Sequence, residues 1–196
     1  MMLLVTSVNP LSRDQAFDEQ GHLPVIAVNH CKYLKSASDE KKKSALAVAK
    51  ELYLVEKELS VPDEMRGMTL SAACLESAFN PGALGDRKFS KRQKPRAVGV
   101  LQLWSWYEKT YKTNRRDPRS SAIGWIRNIK RVIPKVKRVC KYTTTRRIWK
   151  AAWVTGIRYP KPGGRCKESP KHYKYFLKIR KIYDVQTKAS LINLGK

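Results

Sequence analysis

Acidic side chains are scarce in the later part of this chain of 196 residues. Residues 81–196 carry 32 basic and five acidic side chains, whereas residues 1–80 carry nine basic and eleven acidic ones. The net charge of +25 is therefore concentrated after residue 80. A field of this sign attracts polyanions such as nucleic acid, anionic lipid or an anionic cell-wall polymer, but it does not select among them.

The chain also lacks a long hydrophobic run. It begins with five apolar residues followed by polar ones and has no basic segment before them. This start is too short for the apolar core of a signal peptide. The segment "LPVIAV" at 23–28 is too short to cross a bilayer. We therefore expect no signal peptide and no transmembrane segment.

Clusters of metal-binding residues are absent too. The four cysteines contain no C-x-x-C pair and the three histidines no metal-ligand spacing: Cys31, Cys74, Cys140, Cys166, His22, His30 and His172. We interpret them as ordinary thiols and imidazoles and predict no metal and no cofactor. A disulfide between Cys140 and Cys166 would be compatible with the sequence, which does not establish it.

Helical spacing of apolar residues recurs through most of the chain after residue 38. Between 38 and 60 the apolar side chains recur at intervals of three and four. Asp117 and Pro118 are typical of a helix start, and Pro134 is expected to kink or end that helix. Further helices are predicted at 68–79, within 98–111, at 144–156 and from 169 to about 183.

The predicted fold class is mainly α, with at most a small β element. We divide the chain into an irregular N-terminal arm at 1–37, a helical domain at 38–184 and a tail at 185–196. Within the arm, 23–28 is read as a short strand. Residues 86–96, "DRKFSKRQKPR", are expected to form an exposed basic loop.

One glutamate lies on an apolar helix face just before a turn, in "ACLESAFNPGALG" at 73–85. Helical spacing places Glu76 beside Ala72, Leu75 and Phe79. Burial and the negative end of the helix dipole both favour the protonated form of a carboxyl group. Such a group can serve as a general acid toward a glycosidic oxygen. A carboxylate bonded to a neighbouring lysine or backbone N–H is the alternative.

Three segments together resemble the lytic transglycosylases (SLT-type) and goose-type lysozymes of the lysozyme-like superfamily. The resemblance covers about residues 68–156 and consists of "ESAFNPGA", "GVLQ" and "AWVTG" in that order. The matching residues are Glu76, Ser77, Phe79, Asn80, Pro81 and Ala83, then Gly99, Val100, Leu101 and Gln102, then Ala152, Trp153 and Gly156.

The resemblance implies a lysozyme-like helical domain in which Glu76 acts first as acid and then as base. It also implies that Ser77 and Gln102 bond N-acetyl or hydroxyl groups of the substrate and that Gly99 allows close approach of the sugar. Separately, because flat indole rings suit sugar faces, we assign Trp104 and Trp153 to the cleft.

The chain departs from the family pattern in three respects. Trp153 stands where a tyrosine is frequent, the basic segment at 86–96 replaces a short loop, and no second carboxylate is placed by a motif. Asp86 and, more distantly, Asp117 are the candidates for that carboxylate. A single glutamate can instead act with the substrate's own N-acetyl group, so hydrolysis and transglycosylation both stay open.

The expected function is cleavage of the β-1,4 bond between N-acetylmuramic acid and N-acetylglucosamine in peptidoglycan. The partners would be peptidoglycan glycan strands and, through the basic C-terminal part, anionic cell-wall polymers. A bacteriophage origin is inferred, with location in the virion among virion proteins or at the host wall or periplasm. The alternatives are an inactive wall-binding or virion structural module and a basic protein that binds nucleic acid non-specifically.

Overall fold

A computed structural model describes residues 22–86, 94–157, 166 and 172–193. These residues form mainly α-helices with one small antiparallel sheet, which confirms the predicted fold class. The helices are α1 His22–Asn29, α2 Asp39–Glu58, α3 Met68–Ser77, α4 Trp106–Tyr111, α5 Pro118–Cys140, α6 Thr145–Ile157 and α7 Tyr173–Asn193. Two 3-10 turns, Lys32–Leu34 and Asp63–Met65, connect the first helices.

The predicted helix starts are explained by side-chain caps. Ser38 accepts a hydrogen bond from the N–H of Lys41 at the start of α2, and Asp117 accepts one from the N–H of Ser120 at the start of α5. Pro134 was predicted to kink or end α5; it does not end the helix, which continues to Cys140. Buried Val136 and a disulfide at Cys140 hold the last turns in place.

The predicted strand at 23–28 is wrong: this segment lies in helix α1. A short continuous apolar run does not distinguish a buried strand from a buried helix. Here α1 packs against α2, α3 and α7, which leaves little of it facing solvent. Since Leu23 and Leu34 belong to the main hydrophobic core, 22–37 is part of the helical domain and not an irregular arm.

The predicted C-terminal tail is also largely helical. Helix α7 extends to Asn193, ten residues beyond the predicted end at Tyr183. The first 21 residues of the predicted arm and residues 87–93 of the predicted basic loop lie outside the described residues. None of the helices in the described ranges offers an apolar stretch that could span a bilayer.

Helix α3 lies at the centre of the core. Its residues from Met68 to Cys74 are all buried, and it packs against α1, α2 and α7. At its start, Glu56 of α2 accepts hydrogen bonds from the N–H of Gly67 at 2.5 Å and from the N–H of Thr69 at 2.7 Å. The Thr69 hydroxyl lies 2.6 Å from the same carboxyl group. A buried side chain from another helix thus satisfies the first donors of α3.

Two disulfides join the four cysteines, which corrects the interpretation of these residues as ordinary thiols. Cys31 is bonded to Cys74 on α3, and Cys140 at the end of α5 is bonded to Cys166. The first bond is wholly buried. It fixes the 3-10 turn after α1 to the middle of the central helix.

The small sheet has the order β1–β2–β3, formed by Leu84–Gly85, Ala97–Val98 and Leu103–Trp104. All neighbouring strands are antiparallel, with Leu84 opposite Val98 and Ala97 opposite Trp104. The sheet follows α3 in the chain and precedes α4.

We predict that Glu56 makes stability depend on pH. Burial raises the pKa of Glu56 to about 7 from its ordinary value of 4.5, although the bonds from Thr69 and Gly67 lower it. When the pKa of an acid is higher in the folded than in the unfolded state, its protonated form stabilises the fold. This stabilisation is complete below the pKa of the unfolded state and is lost as the pH rises through the pKa of the folded state. The free energy of unfolding should therefore fall by on the order of 3 kcal/mol between about pH 4.5 and 8.

Urea unfolding over this pH range checks the prediction, with Glu56→Gln as the variant that removes the titrating group. Glu64→Gln removes a carboxylate from an exposed position and serves as the matched control. An identical pH dependence in wild type and Glu56→Gln would contradict the assignment.

The buried disulfide should contribute strongly to stability. Because Cys31 and Cys74 are 43 residues apart, their bond restricts the unfolded chain by about 4 kcal/mol in the chain-entropy model. We expect the double variant Cys31→Ser, Cys74→Ser to unfold at a markedly lower urea concentration. The Cys140→Ser, Cys166→Ser variant, which opens a shorter loop of 26 residues, gives the comparison.

Candidate active site

Glu76 lies in the last turn of α3, directly before a sharp change of chain direction. Helix α3 ends because Ala78 and Phe79 both adopt left-handed backbone conformations, with φ of 52° and 62°. The N–H of left-handed Ala78 donates to the carbonyl of Cys74, as in an αL cap, and the N–H of Phe79 donates to the carbonyl of Ala73. This cap turns the chain away and leaves the end of α3 at the edge of a pocket.

The pocket has a volume of about 400 Å³ and lies between α3, the sheet, α4, α5 and the start of α7. It is lined by Ala72, Glu76, Gly85, Asp86, Leu101, Gln102, Leu103, Trp104, Trp106, Tyr107, Trp125 and His172. Four of the predicted site residues meet here: Glu76, Asp86, Gln102 and Trp104. The combination of apolar walls with a few convergent polar groups is typical of ligand sites.

Glu76 contacts a histidine from the far end of the chain. Its Oε1 lies 2.6 Å from Nε2 of His172, which immediately precedes α7. The Glu76 side chain is 26% exposed and the His172 side chain only 4%. The carboxyl group thus has one side on the pocket and one side on a buried imidazole.

Asp86 and Trp104 form a second pair on the pocket wall. The indole N–H of Trp104 donates to Oδ2 of Asp86 at 2.9 Å. Trp104 remains 39% exposed, and the Arg96 guanidinium lies 5.6 Å from its ring centroid. An exposed indole whose edge is fixed by a carboxylate presents a flat apolar face beside the pocket.

Gln102 uses its amide group within the wall. Its Nε2 donates to the carbonyls of Ala83 at 3.2 Å and Gly99 at 2.9 Å. Its Oε1 lies so close to Gly85 that a Cβ atom there would come within 2.1 Å of it. Both amide hydrogens are therefore engaged with the backbone, and what Gln102 can offer a ligand is its acceptor oxygen.

Ser77 and Gly99 lie outside the pocket lining. The Ser77 hydroxyl lies 2.8 Å from the carbonyl of Val100 and accepts from the N–H of Asn80, so it ties the end of α3 to the 99–102 turn. Gly99 has a φ of 84°, and a Cβ atom there would come within 1.7 Å of the Arg115 carbonyl. Glycine is required at position 99 because the loop at Arg115 comes close to it, and not because a sugar does.

Arg115 braces the same wall through its side chain. Its Nη1 donates to the carbonyls of Arg96 at 3.0 Å and Leu103 at 3.1 Å, and its Nε to Glu108 at 2.7 Å. Because Arg96 directly precedes β2 and Leu103 begins β3, this guanidinium holds the sheet to α4.

Trp153 does not reach the pocket, contrary to its assignment to the cleft. It is fully buried and lies among other aromatic rings, at 5.8 Å from Trp125 and 6.1 Å from Phe176 between centroids. Its ring is nearly parallel to that of His172, with centroids 6.1 Å apart. Trp153 thus packs against the ring of His172 on the core side. Its position in α6 faces the core and not the cleft.

Several pocket residues carry no signal in the sequence. His172 is 96 residues from Glu76, and no motif surrounds it. Trp106 and Tyr107 are adjacent in α4 and Trp125 lies in α5, and aromatic residues within helices are more often part of a core. Only the fold brings these side chains to one place.

Within the described ranges, no three His, Cys, Asp or Glu side chains are grouped so as to hold a metal ion. Compared with models of known protein families, with curated proteins and with solved structures, the chain has no significant match. What the pocket offers chemically is a carboxyl group paired with an imidazole, a second carboxylate and an exposed indole.

The Ser77 contact gives a test that separates a structural from a ligand-binding role. Ser77→Ala leaves the Val100 carbonyl without its side-chain donor, so the free energy of unfolding should fall by about 1–2 kcal/mol. Urea unfolding measures the change, and Ser44→Ala at an exposed position of α2 is the matched control. Unchanged stability together with weaker ligand binding would instead support the substrate contact expected from the family resemblance.

Proposed function

We propose that the protein cleaves the β-1,4 bond between N-acetylmuramic acid and N-acetylglucosamine in peptidoglycan, with Glu76 as the general acid and then the base. In the first step Glu76 gives its proton to the glycosidic oxygen as the bond to the sugar breaks. In the second step the carboxylate accepts a proton from the attacking water, or from the sugar hydroxyl that closes an anhydro ring.

The observation that carries this proposal is the meeting of Glu76, Asp86, Gln102 and Trp104 in one pocket. These residues come from separate segments of the sequence, and two of those segments carry the family resemblance. The pocket volume falls within the roughly 300–1,000 Å³ usual for small-molecule sites. A carboxyl group at the edge of an apolar pocket beside an exposed indole suits protonation of a glycosidic oxygen.

Asp86 has two candidate roles that one pair of variants separates. Asp86→Asn removes the charge but keeps an oxygen that can accept from the Trp104 indole, whereas Asp86→Ala removes both. Loss of activity in both variants would make Asp86 the second carboxylate. Activity that survives in Asp86→Asn but falls in Asp86→Ala would make it the residue that orients Trp104.

The exposed basic side chains of α5 suit binding of the protein to an anionic polymer. Helix α5 carries seven basic and no acidic residues, and six of the seven are exposed. We propose that this charge concentrates the protein on anionic wall polymers, with an association rate that falls as salt rises. The same helix is the observation that favours the second candidate function, non-specific binding of nucleic acid.

A bacteriophage wall-degrading protein is the setting we propose for this activity, either carried in the virion with other virion proteins or acting at the host wall or periplasm. Detection of the protein in purified particles would distinguish the two routes. An inactive wall-binding or virion structural module is the remaining alternative.

The decisive experiment compares wild type with Glu76→Gln on isolated peptidoglycan, with soluble muropeptides identified by mass spectrometry. Because a general acid contributes typically about 10²–10⁴-fold to a rate, release should fall by at least about 10²-fold in the variant. Glu64→Gln, which removes a carboxylate from an exposed turn, should cleave like wild type.

The products also identify the reaction. Anhydro ends would indicate a transglycosylase and reducing ends a hydrolase. No release by wild type at any salt concentration would refute the proposal. Binding to the wall without release would favour the inactive module, and salt-dependent retention on DNA alone would favour nucleic-acid binding.

A further inference from the structure

His172 is a pocket residue for which the proposed reaction gives no role. We propose that His172 is the positioning residue of the site: its Nε2–H donates to Glu76, holds the carboxyl group in one orientation and favours its ionised form. The expected effect on cleavage rests on the proposed function. The expected effect on the ionisation of Glu76 does not, and it can be measured separately.

His172 is held in place by two hydrogen bonds to its backbone carbonyl and by the packing of its ring against Trp153. The Ser71 hydroxyl of α3 donates to the His172 carbonyl at 2.7 Å, so the same helix carries Glu76 and anchors its partner. The N–H of Phe176 donates to that carbonyl at 3.0 Å in the first turn of α7. The imidazole plane lies within 11° of the Trp153 plane. A ring fixed in this way can fix in turn the side chain to which it is bonded.

Burial determines which protonation state of His172 fits the site. Its Nδ1 is buried and has no hydrogen-bond partner in the described part of the chain, while its Nε2 faces Glu76. An imidazolium would carry an N–H on Nδ1 with no acceptor, and a buried unpaired donor is strongly unfavourable. A neutral ring with its hydrogen on Nε2 leaves only a lone pair unpaired and donates to the carboxylate of Glu76.

This arrangement opposes the expectation from the sequence that Glu76 is kept protonated. A hydrogen bond donated to the charged form of a carboxyl group favours that form. His172 would therefore ease the second step, in which Glu76 must be a base. It would also keep Glu76 from binding its proton too tightly to deliver it to the glycosidic oxygen.

Other titratable and charged groups surround the pair and must be told apart from it in any pH profile. Asp86 and Tyr107 line the same pocket, and Arg131 lies near Tyr107. Next to His172, the ring of Tyr173 contacts Lys150 and Arg146 of α6. From α2, Glu56 bonds the opposite end of α3.

Two complementary variants test the proposal. His172→Phe keeps an aromatic ring that can stack on Trp153 but removes the donor to Glu76. His172→Gln lacks the ring but keeps a side-chain N–H that can donate. The side-chain carboxyl of Glu76 is followed across pH by carbon-13 NMR of protein labelled at glutamate, with its signal assigned by its loss in Glu76→Gln. The rate of muropeptide release is measured over the same pH range.

In His172→Phe we expect the midpoint of the Glu76 titration to move up by about one pH unit or more. The alkaline limb of the rate profile should move with it, and the maximal rate should fall about tenfold or more because the carboxyl group is no longer held. His172→Gln should stay close to wild type in both titration and rate. Asp86→Asn removes a like charge from the same pocket, so any shift of the Glu76 midpoint in this variant should be downward, opposite to the shift in His172→Phe.

An unmoved Glu76 titration in His172→Phe would overturn the proposal, whatever happens to the rate. Equal losses in both His172 variants, with the titration unmoved, would assign His172 to packing alone. If wild type releases no muropeptides but the titration shifts as expected, the proposed function fails while the pairing of His172 with Glu76 stands.

Discussion

The buried carboxyl group of Glu56 fixes the start of α3, and the candidate site depends on that helix staying in place. Over ten residues α3 is tied to three separate parts of the protein. Glu56 bonds its first turn, the Cys74 disulfide joins its middle to Cys31, and Ser77 joins its end to the 99–102 turn. Because cores are close-packed, such a helix carries Glu76 as a rigid support and not as a mobile arm.

The opposite wall of the pocket is made of irregular chain and depends on specific polar contacts. Gly99 approaches the Arg115 carbonyl, and the Arg115 guanidinium bonds the backbone directly before β2 and at the first residue of β3. The exposed indole of Trp104 is oriented from this wall by Asp86. The pocket thus lies between α3, which is held in place by burial, and the irregular chain around the sheet, which is held by hydrogen bonds.

Periodicity and capping residues predicted much of this fold, because the helices at 39–58 and 118–140 have one apolar face and a side-chain cap at the start. The strand predicted at 23–28 was wrong because the segment is buried on most sides and so has no readable period. The motif segments predicted that Glu76 and Gln102 belong together. They could not predict His172, whose approach to Glu76 depends on the packing of α7 against α3, or that Trp153 faces the core.

The two disulfides differ in what can reach them. Both sulfurs of Cys31–Cys74 are sealed in the core, whereas Cys140 and Cys166 are each half-buried at the end of α5. Thiol exchange begins with attack of a thiolate on one of the sulfurs, so access sets its rate. Mild reductant should thus open the outer cross-link first and leave the inner one closed until the core itself opens. Helix α3 would therefore stay covalently joined to Cys31 after the outer disulfide has been reduced.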